Sequence, residues 1–210
     1  IVLTAVVGLV DLPALRRLWR VSPSDFAAAA AALAGVLAFG ILQGILLAVL
    51  TSVLIQLVHA SRPHVAVLGR IPGTARYSDT ARHPENEPIP GVLAFRPEGA
   101  LLFVNADSVL ETMLARLAAE PPGSIRLVIC DLSATPRIDL AAADMLRKLL
   151  ARLDGQGISL AIAGAHGSLR DLLRRDGFAT LVGGIERAVA VETLLAGAAA
   201  DPQWEPPRPE

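Results

Sequence analysis

The stretch D-L-S-A-T-P-R-I-D-L-A-A-A-D-M-L, Asp131 to Leu146, decides how this chain is read. An apolar run, Leu127 to Cys130, ends on Asp131, and a short polar loop follows. Asp139 then caps a segment whose apolar residues Leu140, Met145, Leu146, Leu149, Leu150 and Leu153 recur at helical spacing. Strand, loop and capped helix in that order are where an α/β domain keeps a ligand or a switch. Yet the helix opens with Leu140, Ala141 and Ala142, which carry no hydroxyl, thiol or imidazole.

Outward from this stretch, the periodicities predict an α/β domain over 90–198. Val92 to Phe95 and Leu101 to Val104, joined by R-P-E-G-A, read as a β-hairpin. Ser108 with Glu111 reads as a capping box ahead of the stripe Val109, Leu110, Met113, Leu114 and Leu117, and Pro121-Pro122-Gly123 stops that helix. Ile125 to Asp131, built on the apolar run Leu127 to Cys130, reads as a central parallel strand, and Leu160 to Ala163 reads as the next buried strand. A helix capped by Ser168 with Asp171 and closed at Gly177, a weak strand at Thr180 to Val182 and a last helix from Ile185 to Leu195 complete the order ββαβαβαβα. The Pro-rich residues 199–210 are expected to be disordered.

The upstream part differs in kind. Of 210 residues 53% are apolar, the mean hydropathy is +0.51 and the net charge is only -1, with the apolar excess concentrated before residue 60. From Phe26 to Val58 there is no charged residue, and one helix of that length would be about 50 Å long against roughly 30 Å of hydrocarbon. Gly35, Gly40 and Gly44 punctuate the run around Gln43, while Arg16, Arg17 and Arg20 precede it and Arg62 and Arg70 follow. Positive flanks favour the cytoplasmic side, so both ends are expected there. Two short helices, about Asp25 to Phe39 and Ile41 to His59, would turn near Gly40 within residues 1–62.

Ile1 to Val10 reads as the end of a preceding helix, and Asp11 to Val21 as an interfacial segment with Leu12, Leu15, Leu18 and Trp19 apolar. Arms this short imply further membrane helices from a longer polypeptide. A buried hairpin of a soluble protein is the alternative. No basic n-region or cleavage site marks a signal peptide. Pro63 ends the second arm, and residues 63–89, rich in Pro, Gly and charge from Gly69 onward, read as a linker or an irregular extension of the next domain.

Composition and spacing limit the chemistry. The charge balance gives no electrostatic case for nucleic acid. Cys130 is the single cysteine, so no internal disulfide is possible, and its apolar run favours a buried inert thiol. His59, His64, His83 and His166 have no metal-ligand spacing, no cofactor is indicated, and no nucleophile–base pair points to an enzyme.

The segments S-R-P-H-V-A-V-L-G-R-I-P-G-T (61–74) and P-G-V-L-A-F-R-P-E-G-A-L-L-F-V-N-A (90–106) resemble the SulP family of anion transporters. In that family the last transmembrane helices lead into a cytoplasmic STAS domain. Asp131, Ser133 and Asp139 are similar to the STAS loop pattern D-x-S-x-x-x-x-x-D. The resemblance implies a membrane hairpin followed by an α/β STAS domain with a mixed sheet, like that of the anti-sigma-factor antagonists. It implies secondary transport of sulfate, bicarbonate or a dicarboxylate with a coupled ion or by exchange, a homodimer in the plasma (inner) membrane, and a substrate site upstream of this chain.

In the soluble antagonists a Ser or Thr two residues after the second Asp is phosphorylated. Here that position is Ala141, so the loop reads as scaffold, with Ser133 bonding loop backbone beside Asp131. A protein partner or nucleotide at Asp131, Ser133 and Asp139 stays open, although no G-x-x-x-x-G-K-S/T is present and A-G-A-H-G-S (163–168) is a weak signal. A membrane-tethered STAS interaction module without transport is the alternative function.

Overall fold

The computed structural model describes residues 12–185 and 189–200. The expectations for Ile1 to Val10, Asp11 and residues 201–210 lie outside the described residues, whereas residues 199–200, expected in the disordered tail, end a helix. The chain divides into two compact units, Ile1–His59 and Ala60–Glu210.

In the first unit, α1 (Leu12–Val21) is followed by α2 (Pro23–Phe39) and α3 (Ile41–Ser61). Helix α2 starts before the expected Asp25 because Ser22 is the cap: its Oγ accepts the Asp25 N–H at 3.4 Å, and Pro23 fills the first helical position. Gly40 has φ 91°, a conformation that suits glycine and separates the two apolar helices. The arms then approach closely through glycine. A Cβ on Gly44 would lie 2.3 Å from Val36 Cγ2, and one on Gly35 would lie 3.2 Å from Gly44 Cα. Such small-residue contacts pack helices where no water is expelled between them.

The large side chains of the arms, among them Leu37, Ile41, Leu46, Leu50 and Val58, are exposed. Trp19 and Phe26 meet edge to face with ring centroids 4.8 Å apart. Among the described residues α3 is the helix long and apolar enough to cross a membrane. It runs two residues past His59 and stops before Pro63, whose ring disfavours a helical preceding residue.

The second unit is built on a five-stranded mixed sheet, β1 (His64–Arg70), β2 (Tyr77–Asp79), β3 (Val92–Glu98), β4 (Leu127–Asp131) and β5 (Ser159–Ala163), in the order β2-β1-β3-β4-β5. β1 pairs antiparallel with β2 and β3, whereas β3, β4 and β5 run parallel. Residues 63–89, expected as a linker, thus contain two strands. β1 is an interior strand, and the segment after it folds back. Arg70 and Glu87 exchange both backbone hydrogen bonds at 2.9 Å, and Asn86 donates to the Ser78 carbonyl at 3.1 Å.

The expected hairpin of Val92 to Phe95 with Leu101 to Val104 is also corrected: β3 takes β1 as its antiparallel partner. β3 continues through Pro97 to Glu98, and Leu101 makes only an isolated parallel bridge to Ile138. The chain then turns because Asn105 Oδ1 accepts the Leu102 N–H at 2.9 Å.

Helices α4 (Ala106–Ala118), α5 (Leu140–Asp154) and α6 (Gly167–Arg175), together with the short α7 (Phe178–Leu181), bury Val109, Met113, Leu146, Leu149, Leu169 and Phe178 in one core with Phe95, Val128 and Cys130. The alternate strand residues, Ala66, Leu68, Val92, Ala94, Leu127, Ile129, Ala161 and Ala163, face the other way against Val191, Leu194 and Leu195 of α8 (Val191–Ala200). The period-two split supplies both faces of a covered sheet.

Three further expectations fail here. Ser108 and Ser168 lie inside their helices, whose cap positions are Asn105 and His166. Thr180 and Leu181 are helical, because Gly177 at φ 78° starts a new turn with Phe178 fully buried. The last helix begins at Val191 rather than Ile185, with residues 186–188 outside the described residues.

Candidate functional site

Parallel strands β3, β4 and β5 all end at one edge of the sheet, and the loop from Asp131 to Asp139 leaves from the middle of it. Asp131 is only 4% exposed, and its Oδ1 accepts the Ser133 N–H at 3.0 Å. The side chain of Asp131 therefore folds the loop's first turn, an arrangement typical of Asp in turns. Ser133 is exposed and contributes backbone rather than the expected hydroxyl: its carbonyl oxygen lies 3.0 Å from His166 Nε2. Thr135 is fully buried and donates its hydroxyl to the Pro97 carbonyl at 3.2 Å, tying the loop to β3.

Asp139 closes the loop with both carboxylate oxygens. Oδ1 accepts the Ala142 N–H at 3.0 Å as a helix cap, and Oδ2 accepts the Phe103 N–H at 2.8 Å. Backbone bonds reinforce the second tie, Leu101 N–H to Arg137 O at 3.0 Å and Asp139 N–H to Leu101 O at 3.2 Å. Asp131, Ser133 and Asp139 thus lie on one loop, with the two carboxylates engaged in holding its ends.

Gly164 decides how near the next loop can come. Its φ is 65°, and a Cβ there would lie 2.6 Å from Asp131 Oδ1 and 2.7 Å from Ser133 N. No larger residue fits without moving the Asp131 turn. Cys130 is fully buried, and burial, then the charge of Asp131, pushes its thiol up to about 12, far from a reactive thiolate.

A family profile described as the STAS domain matches residues 83–191, which contain this loop, the strand β4 before it and the helix α5 after it. The chain belongs to the STAS-domain family. It is 31% identical over 183 residues to the probable sulfate transporter 3.4 of Arabidopsis thaliana, covering 83% of this chain and 28% of that protein. It is 31% identical over 191 residues to the high affinity sulfate transporter 2 of Stylosanthes hamata, covering 87% of this chain and 29% of that protein. Against a probable sulfate transporter of Mycobacterium tuberculosis the identity is 32% over 174 residues, 83% of this chain and 31% of the relative. The chain therefore spans less than a third of the length of these curated relatives. The fold is shared with the murine Slc26a9 anion transporter in its inward-facing state, at a TM-score of 0.77 and 18% identity, over 92% of this chain and 31% of that one.

In this STAS domain Ala141 sits half-buried in the first turn of α5, packed against the core. Beside the loop a cleft of about 360 Å³ is lined by Leu68, Tyr77, Arg96, Asp131, Gly164 and Glu192, among others. Arg96 reaches Glu98 at 3.2 Å through Nη2, whereas its buried Nε has no hydrogen-bond partner. The lining mixes one cation, Arg96, with two carboxylates, Asp131 and Glu192. Among the described residues no three His, Cys, Asp or Glu side chains converge as metal ligands would.

The four histidines have local partners. His59 Nδ1 lies 2.9 Å from Ile55 O, and His83 Nδ1 lies 3.2 Å from Glu85 Oε1. His64 Nε2 lies 2.8 Å from Asp79 Oδ2, and His166 meets Ser133 as described. Sequence reasoning gave no role to Asn105 and Thr135, and it read Gly164 and His166 only as part of the weak A-G-A-H-G-S signal between a strand and a helix.

Proposed function

We propose that this chain is the C-terminal part of a secondary active anion transporter of the SulP type, carrying sulfate, bicarbonate or a dicarboxylate by symport or exchange. The observation that carries the reading is an uncharged helix, α3, leading within a few residues into a STAS sheet, in a chain similar to proteins named sulfate transporters. The hairpin α2–α3 belongs to a plasma-membrane transport domain that works as a homodimer, with the STAS domain cytoplasmic and the anion site in the upstream membrane part. Asp131, Ser133 and Asp139 act as scaffold and regulatory surface, not as catalytic groups, and the protein is not an enzyme. Exposed lipid-type side chains along both arms and the absence of a phosphoacceptor at Ala141 support these assignments.

Uptake of labelled sulfate, bicarbonate and succinate into proteoliposomes holding the full-length protein tests the proposal. Saturable uptake of one of them is expected. A protein that is inserted and folded but moves none of the three would point instead to a membrane-tethered interaction module.

A further inference from the structure

Two of the large apolar side chains that the second unit leaves exposed lie on segments tied together by one carboxylate. Phe103 is 79% and Leu140 is 63% exposed. They are joined through Asp139, which accepts the Phe103 N–H at 2.8 Å and immediately precedes Leu140. Two residues beyond Phe103, Asn105 donates its amide to the Ala60 carbonyl at 2.8 Å. Ala60 is followed by Ser61, the last residue of the apolar helix α3. The apolar pair is therefore held next to the point where the chain enters this unit.

The charges around the pair are not symmetric. Arg62 follows Ser61 directly, and Arg137 lies in the loop beside the Leu101–Ile138 bridge; both are exposed. Asp144, one helical turn beyond Leu140, is an exposed acid, while other acids of this unit are engaged. Asp139 accepts two backbone N–H groups, Asp107 lies 3.4 Å from Lys148, Glu98 lies 3.2 Å from Arg96, and Asp79 lies 2.8 Å from His64.

We propose that Phe103 and Leu140, flanked by Arg62 and Arg137, form a lipid-surface contact through which the STAS domain rests on an anionic leaflet. The ring and the leucine enter the boundary between headgroups and chains, and the two guanidinium groups meet lipid phosphates. An aromatic–aliphatic pair beside arginines has the chemistry of interfacial anchors. The inference rests on reading α3 as a membrane span, because that reading puts Ser61 at the bilayer surface.

The test uses the full-length protein in vesicles, with spin labels at Phe103→Cys, Leu140→Cys, Leu50→Cys and Leu181→Cys. Cys130 is fully buried and stays unlabelled. Leu50 lies on α3, and Leu181 lies on α7, beyond the far end of α6 from the loop. In phosphatidylcholine mixed with phosphatidylglycerol, labels at 103 and 140 are expected to favour oxygen over a water-soluble nickel chelate, as the label at 50 does. The label at 181 should show the reverse. In phosphatidylcholine alone, or with Arg62→Gln and Arg137→Gln together, the labels at 103 and 140 should return towards the behaviour of 181.

Water-exposed labels at 103 and 140 beside a lipid-exposed label at 50 would overturn the contact and leave the membrane span standing. Immobile labels shielded from both oxygen and nickel would overturn it in favour of a protein surface. A water-exposed label at 50 would remove the span and the contact with it.

Discussion

Asp139 Oδ2 holds the Phe103 N–H at 2.8 Å while Oδ1 of the same carboxylate caps α5 through Ala142 at 3.0 Å. One side chain thereby joins the turn after β3 to the helix after β4, two segments far apart in sequence. Asp139→Ala removes both bonds and is expected to lower the stability of the STAS domain by about 1–2 kcal/mol. Asp139→Asn keeps an oxygen for one of them and should cost less. Chemical unfolding of the two variants checks the order, and equal losses would contradict the double role.

The domain boundary follows from β1. A polypeptide of residues 60–200 retains all five strands and is expected to be soluble and to unfold cooperatively. One of residues 88–198 lacks β1 and β2, baring the edge of β3 that pairs with β1 from His64↔Glu98 to Leu68↔Ala94. An unpaired edge of that length aggregates or pairs with another chain. Thermal unfolding and gel filtration of the two polypeptides distinguish them, and a stable monomer of residues 88–198 would contradict the structural role given to β1.

Gly164 and Gly157 have nearly the same backbone, φ 65° and 70°, but different surroundings. Nothing lies within 4 Å of a Cβ on Gly157, whereas one on Gly164 meets Asp131 Oδ1 at 2.6 Å. Gly157→Ala should therefore cost about 1 kcal/mol, for the left-handed backbone alone. Gly164→Ala should cost more and also loosen the Asp131 turn. Equal losses in urea unfolding would show that the close approach carries no weight.

What the sequence made legible, and what it hid, has a physical pattern. β4, β5 and α5 were readable because unbroken apolarity, helical spacing and an Asp cap are local properties. β1 was hidden by its neighbours: Pro63 and the Pro/Gly-rich stretch after Gly69 look like linker, and its pairing with β3 is a long-range contact. Leu101 to Val104 has strand composition, but the Asn105 side chain bends it into a helix start. At the site, Asp131 and Asp139 could be placed from the strand–loop–helix order. Gly164 and His166 come from the following strand's loop, and only the fold brings them to Ser133.

The His64–Asp79 contact gives a pH dependence. Burial pushes the Asp79 carboxyl up, but hydrogen bonds from His64 and the Ala81 N–H, with the charges of His64 and Arg82, outweigh it and leave the carboxyl below its ordinary value. A carboxyl lowered in the folded state binds fewer protons there than when unfolded. Its stabilisation is therefore present above the unfolded value, about 3.9, and is lost as the pH falls through the lowered folded value. Asp79→Asn should flatten the acid limb of the stability curve of residues 60–200. An unchanged acid limb would contradict the assignment.

As proposed above, α2 and α3 form a hairpin whose two ends lie on the cytoplasmic side. Single cysteines at Arg20 and Arg62 in the full-length protein test it most directly, because Cys130 is buried with its thiol raised to about 12 and does not compete for reagent. A membrane-impermeant maleimide is expected to label both positions in inside-out vesicles and neither in right-side-out vesicles. Labelling of one position from each side would contradict the hairpin.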